Sequence, residues 1–250
     1  MNYLVPIIYT LVVTHLTMIA SCLYMHRSVG HRSVIFHPAL VHFFRFWMWL
    51  TDGLNTREWT AQHRRHHVAT DKPGDPHSPV IFGIKKIAWE GFFTSCYQRY
   101  GSRPWNDPEE LEFYGKGCPD DWLERNVYVP HLRQGLVLML IINVLLFGKL
   151  GILIWIIQLI WTPLWSNSVI TGLAHWKVGY HNPKADDNSR NIPGIGFFLI
   201  GDEYHSNHHA NPSSPKLSQK WYEFDLGWFY IKVLRTLRLA RIRSLDGHYQ

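Results

Sequence analysis

The sequence predicts an all-α integral membrane protein: a helical transmembrane bundle of about three crossings plus an interfacial helix, beneath a helical cytosolic cap that holds a metal site. Three observations predict it. Residues 4 to 25 form an apolar run with no acidic or strongly basic side chain. Residues 135 to 174 form a longer one, broken near its middle by Gly148-Lys149-Leu150-Gly151. The segments between and after these runs are polar and crowded with histidine. The mean hydropathy of -0.13 conceals this division, because apolar and polar stretches cancel in the average. At 250 residues and 46% hydrophobic content, with no repeat or flexible linker, the chain is expected to form one domain, residues 1 to 250.

In chain order, residues 4 to 25 match the roughly 20 helical residues that cross about 30 Å of hydrocarbon, with His15 the only imidazole inside. A secretory signal is the competing reading, but a basic leading region and a small-residue cleavage site are missing, and His26 follows directly. His26 and His31 in HRSVGH are five residues apart, a spacing that a straight α-helix splays, so a turn is expected near Gly30. Residues 36 to 54 are apolar but punctuated by His37, Pro38, His42 and Arg45. At the hydrocarbon centre the arginine alone would cost about 2.5 to 3.5 kcal/mol. A crossing there would also put His26 and His63 on opposite faces of the membrane. This segment is therefore expected to lie in the interface, or to enter the membrane and return. Residues 135 to 174 read as a hairpin crossing twice, and residues 54 to 134 and 175 to 250 as the two parts of the cap.

Charge sets the orientation. Between Arg133 and Lys177 only Lys149 is basic, and residues 1 to 25 contain neither lysine nor arginine, so almost all of the 25 basic side chains lie on the histidine side. The positive-inside rule makes that side cytoplasmic. The same bias, with attraction to anionic lipid, accounts for the net charge of +6 without a nucleic-acid partner.

Of the 16 histidines, His26, His31, His63, His66, His67, His175, His205, His208 and His209 fall in clusters that end or flank the apolar runs. In HRRHH and HSNHH the spacing i, i+3, i+4 places three imidazoles on one helical face. Isolated histidines such as His15, His42, His131 and His248 read as ordinary core or surface residues. Cys22, Cys96 and Cys118 form no CxxC pair, which argues against a closed zinc site. HExxH and ExxH are both absent, which excludes the zinc-protease pattern and the carboxylate-bridged bundle pattern. Nine nitrogen donors exceed what one first-row ion accepts, so two ions with open positions fit best, with iron, copper and zinc all suited to imidazole.

HRSVGH, HRRHH and GDEYHSNHH resemble the three histidine boxes of the membrane fatty acyl desaturase family, in the HxxxxH, HxxHH, HxxHH order of its delta-9, acyl-CoA desaturase-like members. Asn55 to Trp59, Gly74-Asp75-Pro76-His77, Ala210-Asn211-Pro212 and Trp221 to Trp228 resemble family sequence as well. His175, in GLAH, sits where the family has a further ligand, in an NSxxH motif. The resemblance implies a di-iron site with those nine histidines as metal ligands and catalytic residues, two ferrous ions as cofactor and dioxygen as co-substrate. It implies insertion of a cis double bond into a long acyl chain carried on CoA, acyl carrier protein or lipid. A related di-iron lipid hydroxylase or acetylenase would use the same ligands.

The match has departures. Thr171 replaces the motif's asparagine, with Asn167 one turn earlier, so these two are the candidates for ordering water at one iron. His181 stands where an arginine follows the motif's histidine. Ala61-Gln62 replaces the Arg-Asp that often precedes the second box in acyl-CoA desaturases. There is room for one crossing before the first box where the family generally has two. The resemblance further implies an acyl tunnel, with Trp59 and Trp165 as candidate walls and Thr10 and Thr14 near its end. Glu58, Asp75, Asp202 and Glu203 are placed to orient imidazoles, or to be solvated at the surface. Arg57, Arg64 and Arg65 are placed to meet a phosphate, a donor's acidic face or lipid headgroups. No haem, iron–sulfur or dinucleotide motif occurs, so electrons are expected from a separate cytochrome b5, ferredoxin or reductase.

Overall fold

A computed structural model of the chain describes residues 3 to 90 and 107 to 243. The parts of the expected cap at 91 to 106 and 244 to 250, with Cys96 and His248, lie outside the described residues. Helix α1, Leu4–Ile19, runs unbroken into a π-helical stretch, Ala20–Gly30. Its early apolar side chains, among them Leu4, Val5, Ile8 and Val12, face outward, a surface suited to lipid rather than water. The end of α1 departs from expectation. The chain does not turn at Gly30; the helix widens, and the His31 amide donates to the His26 carbonyl at 3.0 Å, five residues back. That bonding pattern stacks residues five apart, so His26 and His31 point the same way. The turn comes at Arg32, which adopts a left-handed φ of 54°.

A short antiparallel ribbon then joins β1, Val34–Phe36, to β2, Ala240–Ile242, with Val34 opposite Ile242. This is the one two-stranded sheet among the described residues, and it ties the first histidine segment to residues 240 to 242. Helix α2, Pro38–Thr51, fills the expected interfacial segment. It starts at Pro38, whose fixed φ suits a first helical position. Asn55 caps α3, Thr56–Ala69, by accepting the amides of Arg57 and Glu58.

Helices α4, Leu132–Phe147, and α5, Lys149–Thr162, form the hairpin. The expected four-residue break is a single residue, Gly148, whose φ of 59° and ψ of -136° suit glycine alone. Lys149 already begins α5, and Gly151 is a packing residue, since a Cβ there would strike the Asn143 carbonyl. Beyond α5 the rod continues as a π-helical Pro163–Gly172 and a 3₁₀ turn, Leu173–His175. The 27-residue rods Leu4–Gly30 and Lys149–His175 are long and apolar enough to cross a membrane, whereas α4 has 16 residues. Polar contacts join the three: Tyr9 donates to Asn143, and Asn143 to Gln158, each at 2.8 Å. Such interhelical bonds hold apolar helices together where water is absent. Helices α6, His205–Ala210, and α7, Leu226–Thr236, complete the cap with shorter helical turns. The main core, including Leu23, Tyr24, Met25, Leu199, Ile200 and Ile231, surrounds the π-helical end of α1.

Arg45 of α2 is enclosed by protein. It is buried, donating to both oxygens of Asp121 at 2.6 and 2.7 Å and to Glu124 at 2.9 Å, so it pins α2 to the segment before α4. Arg45→Met would leave Glu124 buried without its cation, at a cost of about 3 to 5 kcal/mol. The midpoint of thermal unfolding in detergent should fall accordingly, and Arg45→Met with Glu124→Gln should recover part of the loss.

Candidate metal centre

Each histidine triplet divides between two clusters. His26, His31, His63, His67 and His208 bring ring nitrogens together in one, and His66, His175, His205 and His209 in the other. Within each cluster the ligand atoms lie within 4.8 Å of one another. In both HxxHH segments the first and last histidines serve one cluster and the middle one the other. Helical geometry explains the division: i and i+4 lie about 40° apart, while i+3 is displaced about 100° from i+4. The triplets therefore do not aim three ligands at one point; α3 and α6 each straddle both clusters, and their assignments are reciprocal.

The nitrogens that converge are mostly Nε2. His26 and His208 approach to 3.0 Å, His208 and His67 to 3.0 Å, His175 and His205 to 2.8 Å, and His209 and His205 to 3.1 Å. The opposite nitrogen, Nδ1, points outward to a carboxylate in four rings: His26 to Asp202 at 3.1 Å, His66 to Asp75 at 2.9 Å, His175 to Asp71 at 3.2 Å and His209 to Asp187 at 2.8 Å. A neutral imidazole has one N–H. If Nδ1 donates it to the carboxylate, Nε2 presents a bare lone pair. Lone pairs facing one another at 3 Å repel unless a cation lies between them. Two nitrogens each about 2.0 to 2.1 Å from one ion and at right angles would be about 3 Å apart. The donor set thus fits two ions held almost wholly by nitrogen.

The electrostatics keep the rings in ligating form. Burial first, then the charge that neighbouring rings would carry, pushes His31, His63, His67, His205, His208 and His209 well below the ordinary histidine range. Burial also lowers His66, although Asp75 opposes it. Burial would raise the Asp71 carboxyl, yet hydrogen bonds from His175 and Ser78 hold it down to about 2. Asp71 and Asp75 are in turn fixed by backbone amides: Asn188 donates to Asp71, and Asp71 and His77 to Asp75, at 2.8 to 3.0 Å. These anchors set ring orientation and tautomer.

Of the four carboxylates expected behind the imidazoles, Asp75 and Asp202 are there. Glu58 instead accepts from the capping Asn55, and Glu203 accepts the Gly201 amide, its carboxyl pushed up to about 8 by burial. Asp71 and Asp187 fill the remaining places, although no short motif joins them to their histidines. Arg64 clamps the carbonyls of Val29 and Gly30, at 2.7 and 2.9 Å, while Arg57 and Arg65 pair with Glu112 and Glu110 of the helix Pro108–Tyr114. The three arginines beside the second box are therefore occupied within the protein. Trp59 stacks on His63 at 4.9 Å, and Trp165 on Phe198 at 4.5 Å. Asn167 and Thr171 lie on the π-helical stretch before His175, with the Thr171 hydroxyl donating to Ser166. Thr10 and Thr14 donate to carbonyls of their own helix.

Beneath the first cluster lies a charge that the spacing of histidines does not reveal. Arg27 is buried, donating to both oxygens of Asp225 at 3.0 and 3.3 Å and to the carbonyls of Ile200 and Pro215. Gly201 and Gly227 leave room for it, since a Cβ at either would crowd the guanidinium. Its one legible signal is its place inside HRSVGH.

The family model described as fatty acid desaturase matches residues 2 to 235. A delta-9 acyl-lipid desaturase of Arabidopsis thaliana is 30% identical over 230 residues, covering 90% of this chain and 70% of that protein. The sn-1 stearoyl-lipid 9-desaturase of Synechocystis is 28% identical, covering 86% of this chain and 64% of that protein. A chloroplastic palmitoyl-monogalactosyldiacylglycerol delta-7 desaturase of Arabidopsis is 27% identical over 231 residues, covering 90% of this chain and 58% of that protein.

Because the folded histidines bind protons more weakly than unfolded ones, stability of the metal-free chain is fully present above about 6.5, the unfolded histidine value, and is lost as pH falls through and below it. Thermal unfolding of chelator-treated protein in detergent should show a midpoint that drops between pH 7.5 and pH 5.5.

Proposed function

The chain belongs to the fatty acid desaturase family, and we propose that it is an oxygen-dependent di-iron enzyme that inserts a cis double bond into a long, lipid-linked acyl chain. As a fatty acyl desaturase it is an oxidoreductase. The observation that carries the di-iron reading is the convergence of nine imidazoles into two groups, with carboxylates behind four of the rings. Unactivated methylenes offer nothing for an acid, base or nucleophile to work on, so bound ferrous ions with dioxygen would supply the redox chemistry. His26, His31, His63, His67 and His208 would hold one ion, and His66, His175, His205 and His209 the other. Asp202, Asp75, Asp71 and Asp187 keep the Nδ1 protons and so keep Nε2 free for the metal. Asn167 and Thr171 are the groups we assign to ordering water beside His175.

Trp59 and Trp165 are assigned to the walls of an acyl tunnel. Thr10 and Thr14 are assigned to its far end, about 18 to 24 Å from His26 at 1.5 Å per residue. The single domain would cross the membrane three times, by residues 4 to 25 and the hairpin 135 to 174. Residues 36 to 54 would lie in the interface, and the cap, residues 54 to 134 and 175 to 250, would carry the site on the cytoplasmic side. Electrons would come from cytochrome b5, ferredoxin or a reductase. The acyl-lipid names of the relatives and Ala61-Gln62 at the second box favour a lipid carrier over CoA.

The test is expression in a desaturase-deficient host, with mass spectrometry that locates double bonds within each lipid class. A new unsaturated species, lost in His208→Ala, is expected. Hydroxylated products would replace this reading with a hydroxylase. Asp75→Asn should weaken metal binding by about 10- to 100-fold, read as metal content against a graded chelator.

A further inference from the structure

The two histidine clusters differ in what stands behind them. In the second, three of the four rings have an aspartate at Nδ1: His66 with Asp75, His175 with Asp71 and His209 with Asp187. In the first, one ring of five does, His26 with Asp202. The side chains of Asp71, Asp75 and Asp187 are 2%, 0% and 7% exposed, and among the described residues no lysine or arginine pairs with any of them. Their other hydrogen-bond donors are neutral, the amides of Asn188, Asp71, His77 and Ser189 and the hydroxyl of Ser78.

Asp202, by contrast, has a cation beside it. Arg27 Nη2 lies 3.7 Å from Asp202 Oδ1 and 3.0 Å from Asp225 Oδ1. Arg64 brings a second cation to this end, donating to the carbonyls of Val29 and Gly30 just before His31. The charges around the first cluster, Asp202, Asp225, Arg27 and Arg64, therefore cancel, whereas the second faces three uncompensated carboxylates, each across a single imidazole ring. Enclosure by protein makes the difference count, because buried charges are screened least. A carboxylate that accepts an imidazole N–H makes the opposite nitrogen more basic, and the added negative charge favours the higher oxidation state of an ion bound there. Five neutral nitrogens in balanced surroundings favour the lower one.

We propose that the two metal sites are electronically unequal: the ion held by His66, His175, His205 and His209 gives up an electron at a lower potential than the ion held by His26, His31, His63, His67 and His208. Asp71, Asp75 and Asp187 set the difference, acting through the imidazoles as positioning residues. The step moves one electron from the ferrous ion of the second site to an external one-electron acceptor; no bond forms or breaks, and the imidazole protons stay on Nδ1. This rests on the di-iron reading above and adds to it an order of oxidation.

The full chain in detergent, loaded anaerobically with ferrous ion and titrated with ferricyanide through redox mediators, tests this by Mössbauer spectroscopy, which counts ferrous and ferric ions separately. Two irons per chain bear on the di-iron reading, and the order in which they oxidise bears on this one. Two one-electron steps are expected. Asp187→Asn leaves His209 an acceptor of the same shape without the charge, and the neighbouring Asp186 and Asn188 are exposed, so folding should tolerate it. It should raise the lower step by about 59 mV, a tenfold loss of preference for ferric ion, and move the upper step far less. Asp187→Glu should keep the lower step near its original value, and Asp202→Asn should leave it in place. A single two-electron step would overturn the proposal. So would Asp187→Asn raising only the upper step, the behaviour of two equal sites split by mutual repulsion, or Asp202→Asn raising the lower one. Fewer than two irons per chain would overturn the di-iron reading and this one with it.

Discussion

The molecule is organised around an unfavourable contact. Nine imidazoles are pressed together in two groups, and in the four whose Nδ1 donates to an aspartate the lone pair of Nε2 faces inward, where only a cation relieves the repulsion. The chain supplies only the restraint: one end of α1, the middle of α3, the end of α5 and α6 each bring histidines to the same place, and four aspartates hold the rings from behind. Neither α3 nor α6 completes a cluster alone. Because each divides its triplet between the two clusters in opposite senses, a shift of either helix would disturb both. The geometry thus makes the two clusters one unit.

The restraint extends outward through buried charge. Arg27 and Asp225 lie under the first cluster, with the Gly201 and Gly227 backbones closed around them, and they join the helix that carries His26 to the segment that follows His208. Arg64 does the same on the other side, holding the last carbonyls of the π-helical stretch to α3. Charges in such places are costly to bury and more costly to strand. They favour one arrangement of the four histidine-bearing elements over any that leaves a guanidinium without its partners.

What could be read from sequence was what repeats at short range. The apolar runs, the histidine boxes and the helix within residues 36 to 54 are set by periodicity and length, and they stand where those signals put them. The carboxylates were half legible. Asp75 is nine residues from His66, and Asp202 stands within the third box although its partner His26 is 176 residues away, whereas Asp71, 104 residues from His175, and Asp187, 22 residues from His209, belong to no box. Only folding brings those pairs together. Arg57 and Arg65 looked available because the acidic helix that occupies them, Pro108–Tyr114, lies some fifty residues away, roughly 45 to 55 positions along the chain. The reciprocal division of the triplets was out of reach because spacing shows which side chains share a face and not where two targets lie relative to it.

The widened turns at the ends of α1 and α5 settle a conflict of angles. A long apolar rod takes its rotation about its own axis from packing along its whole length, by contacts such as Tyr9 with Asn143. A rod that ends in a coordinating side chain must instead aim one nitrogen at one point. A uniform α-helix couples the two demands, since turning its tip turns all of it. Ala20–Gly30, which contains His26, and Pro163–Gly172 change the number of residues per turn around and just short of the histidines. They act as a fixed angular offset between shaft and tip, so the face that packs along the shaft and the direction in which His26, His31 and His175 point need not share one α-helical phase.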